Sequence, residues 1–265
     1  MTTVETTTTR PAEGTAPGAA PHRTPKLPLS RLVLVELRKL ADTRAGLWLL
    51  IVIGLAAVAT TLILLFAAPD DEKTFENFFT FALLPSGVLL PVLGILSMTA
   101  EWTQRTALTT FALVPQRGRV VAAKLAAAVL ISILAVVPAF AFGAAGNLAA
   151  GGPWSITWQL VVQCVVLQVV WVLMGSAFGA LLLNTPLAIV LFFALPMVWT
   201  ILGETIRGLR TAASWLDMNV TTIPLTESAG GLTSGQWGRF LVSAAVWVLL
   251  PLVLGTVRVL RREVA

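Results

Sequence analysis

The sequence predicts an all-α, polytopic membrane protein: six transmembrane helices behind an N-terminal interfacial helix, with both termini in the cytoplasm. Three observations lead there. The 265 residues are 57% hydrophobic and only 12% charged, a balance foreign to soluble domains. The apolar residues fall in runs long enough to cross a bilayer, about 20 residues each. The Lys and Arg residues gather at alternate ends of those runs, which sets the direction in which the chain is threaded.

Residues 1–28 are rich in Thr, Pro and Ala and hold almost no large apolar side chains. They bury too little surface to offset the entropy of ordering and are expected to form a disordered cytoplasmic tail. No apolar run of the signal-peptide kind follows Met1 closely. The stretch 29–44 reads as a helix lying along the membrane surface. Leu29, Leu32, Val33, Leu37, Leu40 and Ala41 share one side; Arg31, Arg38 and Asp42 share the other. Two residues break the pattern, Val35 among the polar positions and Glu36 at the apolar edge. Arg31, Arg38, Lys39 and Arg44 have stems long enough to reach headgroups. A cytosolic helix that merely precedes the first span would share this pattern.

The transmembrane domain is expected over 29–262. Its first span covers about 46–68 and carries no charge, with Trp48 at one end. Asp70, Asp71, Glu72, Lys73 and Glu76 form a short acidic loop. The second span, about 79–100, contains Pro85 and Pro91 and ends at Trp102. From Leu125 to Gly203 the chain has no charge at all, and turn chemistry divides this run into three. Asn147 with Gly151, Gly152 and Pro153 marks one break, and Asn184-Thr185-Pro186 a tighter one. The third to fifth spans then cover about 121–146, 157–183 and 186–204, with kinks expected from Pro138 and Pro196. A polar extracellular segment, 205–236, precedes the sixth span at about 237–257. That segment is open to two readings, a gate or a plain connector.

The charge tally orients the bundle. With both termini inside, fourteen Lys and Arg residues lie on the cytoplasmic side, against Lys73, Arg207, Arg210 and Arg239 outside. Net charge of +5 therefore reflects anchoring to anionic headgroups of a cell membrane, and nucleic acid is not an expected partner. Arginine outnumbers lysine fourteen to four, which fits a GC-rich bacterial genome.

Residues 101–124 are the one long polar interval between spans with a clear basic excess. Arg105, Arg117, Arg119 and Lys124 oppose Glu101. Glu101 to Ala112 fits a short helix, stopped by Pro115 and followed by a joint at Gly118. Such a segment is either an ordinary basic loop or a handle by which a soluble partner moves the two spans.

No catalytic, metal-ligating or cofactor-binding set stands out. No ionisable residue falls deep within an expected span; Glu101, Lys124, Glu204 and Arg239 are at the margins. Coupled carriers and intramembrane enzymes rely on such groups to relay protons and bind ions. The chain also lacks G-x-x-x-x-G-K-[ST], so it does not cradle nucleotide phosphates in that manner. The expectation is a non-enzyme whose energy, if it transports actively, comes from another polypeptide. Cys164 is the only cysteine and reads as a small buried apolar residue. Gly175 and Gly179 make a G-x-x-x-G on the fourth span, better explained by packing within one subunit than by a dimer face. Gln159, Gln163 and Gln168 fit interhelical hydrogen bonds more simply than a polar path.

The order of elements resembles the permease subunits of ATP-binding-cassette exporters, the ABC-2 membrane family. The similarity is sharpest in 101–124, where Glu101, Thr106, Leu108, Pro115, Arg119 and Lys124 fit the family's loose pattern and Arg105 stands where glycine is usual. The Glu36-Leu37-Arg38-Lys39 stretch resembles the family's connecting helix. The resemblance implies two copies of a separate ATPase subunit, which would use the ATP, and a second permease, alike or different. It implies that 101–124 enters a cleft of the ATPase while 29–44 braces its side. Trp102, Leu108 and Phe111 would form an apolar knob, and Glu36, Arg38, Glu101, Thr106, Arg119 and Lys124 polar contacts. The competing class is an ATP-independent membrane protein, either a passive pore or an immunity-type protein.

Overall fold

The computed structural model describes residues 28–104, 106, 116–227 and 231–261. No strand occurs among them, and six helices are long and apolar enough to cross a membrane. Residues 1–27 of the expected tail and the loop positions Arg105, Leu108, Phe111 and Pro115 lie outside the described residues.

Helix α1 (Leu29–Asp42) and helix α2 (Arg44–Ala67) are separated by Thr43 alone. Thr43 Oγ1 accepts the Gly46 N–H at 3.2 Å, a capping bond that starts α2. The corner is so tight that a Cβ on Gly46 would collide with the Leu40 carbonyl. Along α1 the face turned toward the protein carries Val33, Glu36, Leu37 and Leu40, and it packs on the third crossing and on α2. Glu36 sits in the middle of that face, which explains its place at the apolar edge. α2 itself is peripheral: Trp48, Leu55 and Phe66 are 65%, 67% and 81% exposed.

A single 3-10 turn, Asp70–Glu72, leads to α3 (Phe75–Thr103), whose first turn is capped by Thr74. α3 keeps Pro85 and Pro91 within one continuous helix. The third crossing runs from Arg117 to Ala150 and is broken at Ala135 into α4 (Arg117–Leu134) and α5 (Val136–Ala150). The break falls one turn before Pro138. That proline has no N–H for the Leu134 carbonyl and its ring crowds the same oxygen, so the helix yields just after Leu134. α5 ends at Gly151, whose φ of 70° is the left-handed cap glycine favours.

α6 (Trp158–Leu182) and α7 (Thr185–Thr205) join through Leu183 and Asn184. Leu183 adopts φ 52°, unfavourable for a side chain with a Cβ by about 1–2 kcal/mol. Its burial beside Met98, Val121, Ala180 and Val259 offsets that. Asn184 Oδ1 then caps α7 through the Leu187 N–H at 3.0 Å. Three short helices follow, α8 (Arg210–Leu216), α9 (Met218–Thr222) and α10 (Pro224–Glu227). They fold back into the bundle: Met218 and Leu225 are fully buried, and Trp247 Nε1 donates to the Leu216 carbonyl at 2.6 Å. The sixth crossing comprises α11 (Ser234–Ala244), a π-helical turn over Ala245–Leu249, and α12 (Leu250–Arg261). Pro251 withholds an N–H from the Trp247 carbonyl, and the wider turn accommodates its ring.

The centre of the bundle is the contact of α3 with α6. Here a Cβ on Gly175 would strike the Pro91 carbonyl, and one on Gly179 would lie 3.0 Å from Ile95 Cα. From the opposite side, a Cβ on Gly94 would be 2.7 Å from the Val172 carbonyl. Small residues let the two backbones touch, the means by which helices associate where lipid removes the hydrophobic drive. Gly175 and Gly179 thus face α3 of the same chain.

Candidate functional site

One end of the bundle collects α1, the C-terminal ends of α3, α6 and α12, and the N-terminal ends of α4 and α7. Hydroxyls join α3 to α7, Thr99 to Thr185 at 2.7 Å and Thr103 to Thr185 at 3.2 Å. Arg258 Nη1 donates to the Leu181 carbonyl at 2.5 Å, and Arg117 Nη1 to the Val259 carbonyl at 3.4 Å. Inside this end lies a closed ring of four charges from three helices. Glu36 and Lys39 come from α1, Glu101 from the last turn of α3, and Lys124 from the third turn of α4.

Lys124 Nζ donates to Glu36 Oε2 at 2.8 Å and to the Ser97 carbonyl at 2.8 Å, and stands 3.0 Å from Glu101 Oε1. Two of its three N–H bonds have acceptors, and Glu101 stands beside it as an ion-pair partner. Lys39 Nζ closes the ring, 2.7 Å from Glu36 Oε1 and 3.2 Å from Glu101 Oε1. Glu36, Glu101 and Lys124 are only 5%, 6% and 4% exposed. Burial alone would pull the Lys39 pKa down. The hydrogen bond and charge of Glu36, with Glu101 adding to both, outweigh burial and hold it above the ordinary lysine value. The ring borders a cleft of about 360 Å³ that also takes in Thr43, Gly46, Thr106 and Thr185.

The geometry makes this ring a joint. Its charges balance, and each is held by partners on other helices. Removing one partner from such a set leaves an uncompensated buried charge, which typically costs about 3–5 kcal/mol. So α1, α3 and α4 are tied together at the point where the chain leaves α3 and re-enters α4. The Thr106 N–H also bonds back to the Glu101 carbonyl at 2.9 Å, fixing the first described step of the loop to the ring.

Of the residues singled out from sequence, the structure brings Glu36, Glu101 and Lys124 into contact. Arg38 is on the exposed side of α1 and Thr106 is exposed; Arg119 is half-buried. Trp102 is half-buried and packs beside Met98 and Val121. Lys39 and Ser97, which complete the ring, were not among them. Lys39 was legible as the i+3 neighbour of Glu36, but nothing in the sequence marks the Ser97 carbonyl. The Trp215-Leu216-Asp217 stretch suggests a short helix or turn, but not that Asp217 is buried. It is 1% exposed and caps α9, its Oδ1 accepting from Asn219 and Val220; an Asp just before a short helix is the signal that would find it.

Compared with known proteins, the chain matches no protein-family model and no curated sequence.

Proposed function

We infer that this chain is the permease subunit of an ATP-binding-cassette exporter of the ABC-2 type, worked by a separate ATPase. The single observation that carries the reading is the four-charge joint. A segment moved only at its tip transmits little to the bilayer unless its two roots and a bracing helix are locked together. Glu36, Lys39, Glu101 and Lys124 supply that lock between α1, α3 and α4.

In this reading the joint lies on the cytoplasmic side of the cell membrane, with both termini, and α1 lies at the interface. ATP binding closes a pair of ATPase subunits, and the 101–124 loop, seated between them and the membrane, follows. Because ATP-bound and ATP-free pairs hold the loop differently, the bundle shifts between inward- and outward-open arrangements. The buried Glu36, Glu101 and Lys124 act inside the permease as the joint. Contact with the ATPase falls to Leu108 and Phe111, midway along the 101–124 sequence, and to exposed Arg38 on α1. The resemblance of the element order and the loop pattern to ABC-2 permeases supports the same assignment.

The test is co-expression of the full chain with a candidate soluble Walker-motif ATPase, sought first in the adjacent genes. Co-purification is expected, and alanine at both Leu108 and Phe111 should reduce it at least tenfold. Unchanged association in that double variant, or recovery of the chain without any ATPase, would overturn the reading.

A further inference from the structure

At the opposite end of the bundle a cavity of about 700 Å³ opens between α3, α6, α7 and the short helices α9 and α10. Its volume is within the roughly 300–1,000 Å³ of small-ligand sites. No Asp, Glu, Lys or Arg lines it, and most of its wall is apolar, including Leu84, Trp171 and Met197. Gln168 stands in that wall, 1% exposed. Its Nε2 donates across the α3–α6 contact to Ser86 Oγ and to the Leu83 carbonyl. Its Oε1, also buried, has no partner. A buried acceptor left unpaired is costly, and this one lies just behind the wall, 3.5 Å from where a Cβ on the cavity-lining Gly87 would stand.

Three prolines interrupt the helical hydrogen bonding around the same space. Pro91 has no N–H for the carbonyl four residues earlier, that of Gly87; Pro85 withholds one from Phe81, and Pro196 from Phe192. Gly87, Phe81 and Phe192 all line the cavity. Gly87 has no side chain, so what it presents is backbone. The donors at the loop end, meanwhile, are directed into the protein. Asn77 donates to the Glu72 carbonyl, Thr80 to the Glu76 carbonyl, Asn219 to Thr200 Oγ1, and Thr226 to the Ile223 carbonyl. The site is uncharged, with hydroxyls that already donate within the protein and an unpartnered amide oxygen close behind its wall.

We propose that this cavity binds a neutral single-chain amphiphile from the bilayer, through a hydroxyl or amide N–H given to Gln168 Oε1. A charge of either sign would be buried without a counter-charge. The volume takes one long alkyl chain and a small headgroup, and not a two-chain phospholipid. Leu84, Val88 and Met197, which border the cavity, are each more than half exposed, so the entrance faces sideways into lipid. The proposal needs the chain to be in a membrane but needs no ATPase, and the two readings fail separately.

The experiment uses the full chain in phosphatidylcholine nanodiscs and follows quenching of Trp171 by brominated lipids, isolated by subtracting Trp171→Phe. Brominated monoacylglycerol is expected to quench at mole fractions at least tenfold below brominated phosphatidylcholine or an ionised brominated fatty acid. Gln168→Leu should raise the half-quenching mole fraction of the monoacylglycerol roughly three- to tenfold, the loss expected of one neutral hydrogen bond. In Gly87→Leu the new Cβ would meet nothing closer than Gln168 Oε1 at 3.5 Å, so its side chain fills the cavity without disturbing the helices and should abolish the selective quenching. The proposal is overturned if the fatty-acid anion or a bromoalkylammonium quenches as effectively as the monoacylglycerol. It is equally overturned if both substitutions leave the monoacylglycerol curve unchanged.

Discussion

Lys124 has two hydrogen-bond acceptors, a third partner in the Glu101 carboxylate and almost no contact with solvent, so it has no way to compensate for a lost partner. Lys124→Met is expected to destabilise the protein by roughly 3–5 kcal/mol, because Glu36 and Glu101 are left charged and buried. Adding Glu36→Gln and Glu101→Gln to that variant should recover much of the loss, since the remaining ring member, Lys39, reaches solvent. Thermal unfolding in micelles would measure both. Lys39 gives a pH signature of its own. Its pKa is raised on folding, so its contribution is full below the ordinary lysine value and is lost as pH climbs through the folded value. The melting difference between wild type and Lys39→Gln should therefore hold through neutral pH and vanish only in strong alkali. Much of the ring could be read one residue at a time: Glu36 as an acid on an apolar edge, Glu101 and Lys124 as charges at span margins. Their pairing could not be read, because it joins positions far apart in sequence whose distance depends on how α1 folds back over α4.

At the scale of the helix, the sequence speaks most clearly where turn chemistry is local. Asn147 with Gly151, and Asn184-Thr185-Pro186, mark the ends of α5 and α6 because capping and proline act within a few residues. It speaks less clearly where a neighbour decides. Pro138 announces a bend, yet the break appears at Ala135, since a proline disturbs the turn before it. Pro85 and Pro91 leave α3 continuous, held along its length by α6. The glycines show the same division. Gly54 on α2 has nothing within 4 Å of an added Cβ, whereas an added Cβ on Gly175 meets the Pro91 backbone. Gly54→Ala should be neutral or stabilising by up to about 1 kcal/mol, as helix propensity alone requires. Gly175→Ala should destabilise by roughly 1–3 kcal/mol or more, the usual cost of forcing atoms into a packed contact. Parallel melts of the two variants separate propensity from packing, and equal effects would contradict the α3–α6 contact described above.

For the whole molecule, the two ends differ in charge as well as in shape. Among the described residues, Arg31, Arg38, Lys39, Arg44, Arg117, Arg119, Lys124, Arg258 and Arg261 belong to the end that holds the joint. Only Lys73, Arg207, Arg210 and Arg239 belong to the other. That division was legible because threading through a bilayer depends on counts of Lys and Arg in loops and not on tertiary contacts. The cavity was not legible. It depends on Gln168 and on short helices folded back into the bundle from a segment whose polarity left a gate and a plain connector equally open. The orientation is the premise on which a nucleotide-driven partner depends, and it yields to a direct measurement. Cys164 is buried and is the only cysteine, so a Cys164→Ala background admits single reporters at exposed sites. Asp71→Cys lies in the acidic turn and Gln116→Cys at the root of the 101–124 loop, both exposed. In intact cells a membrane-impermeant maleimide should label Asp71→Cys and leave Gln116→Cys untouched until the membrane is opened. The reverse pattern would put the joint on the side where no ATP is available, and the coupling mechanism would fail with it. The lipid cavity, which requires only a bilayer around it, would survive that result.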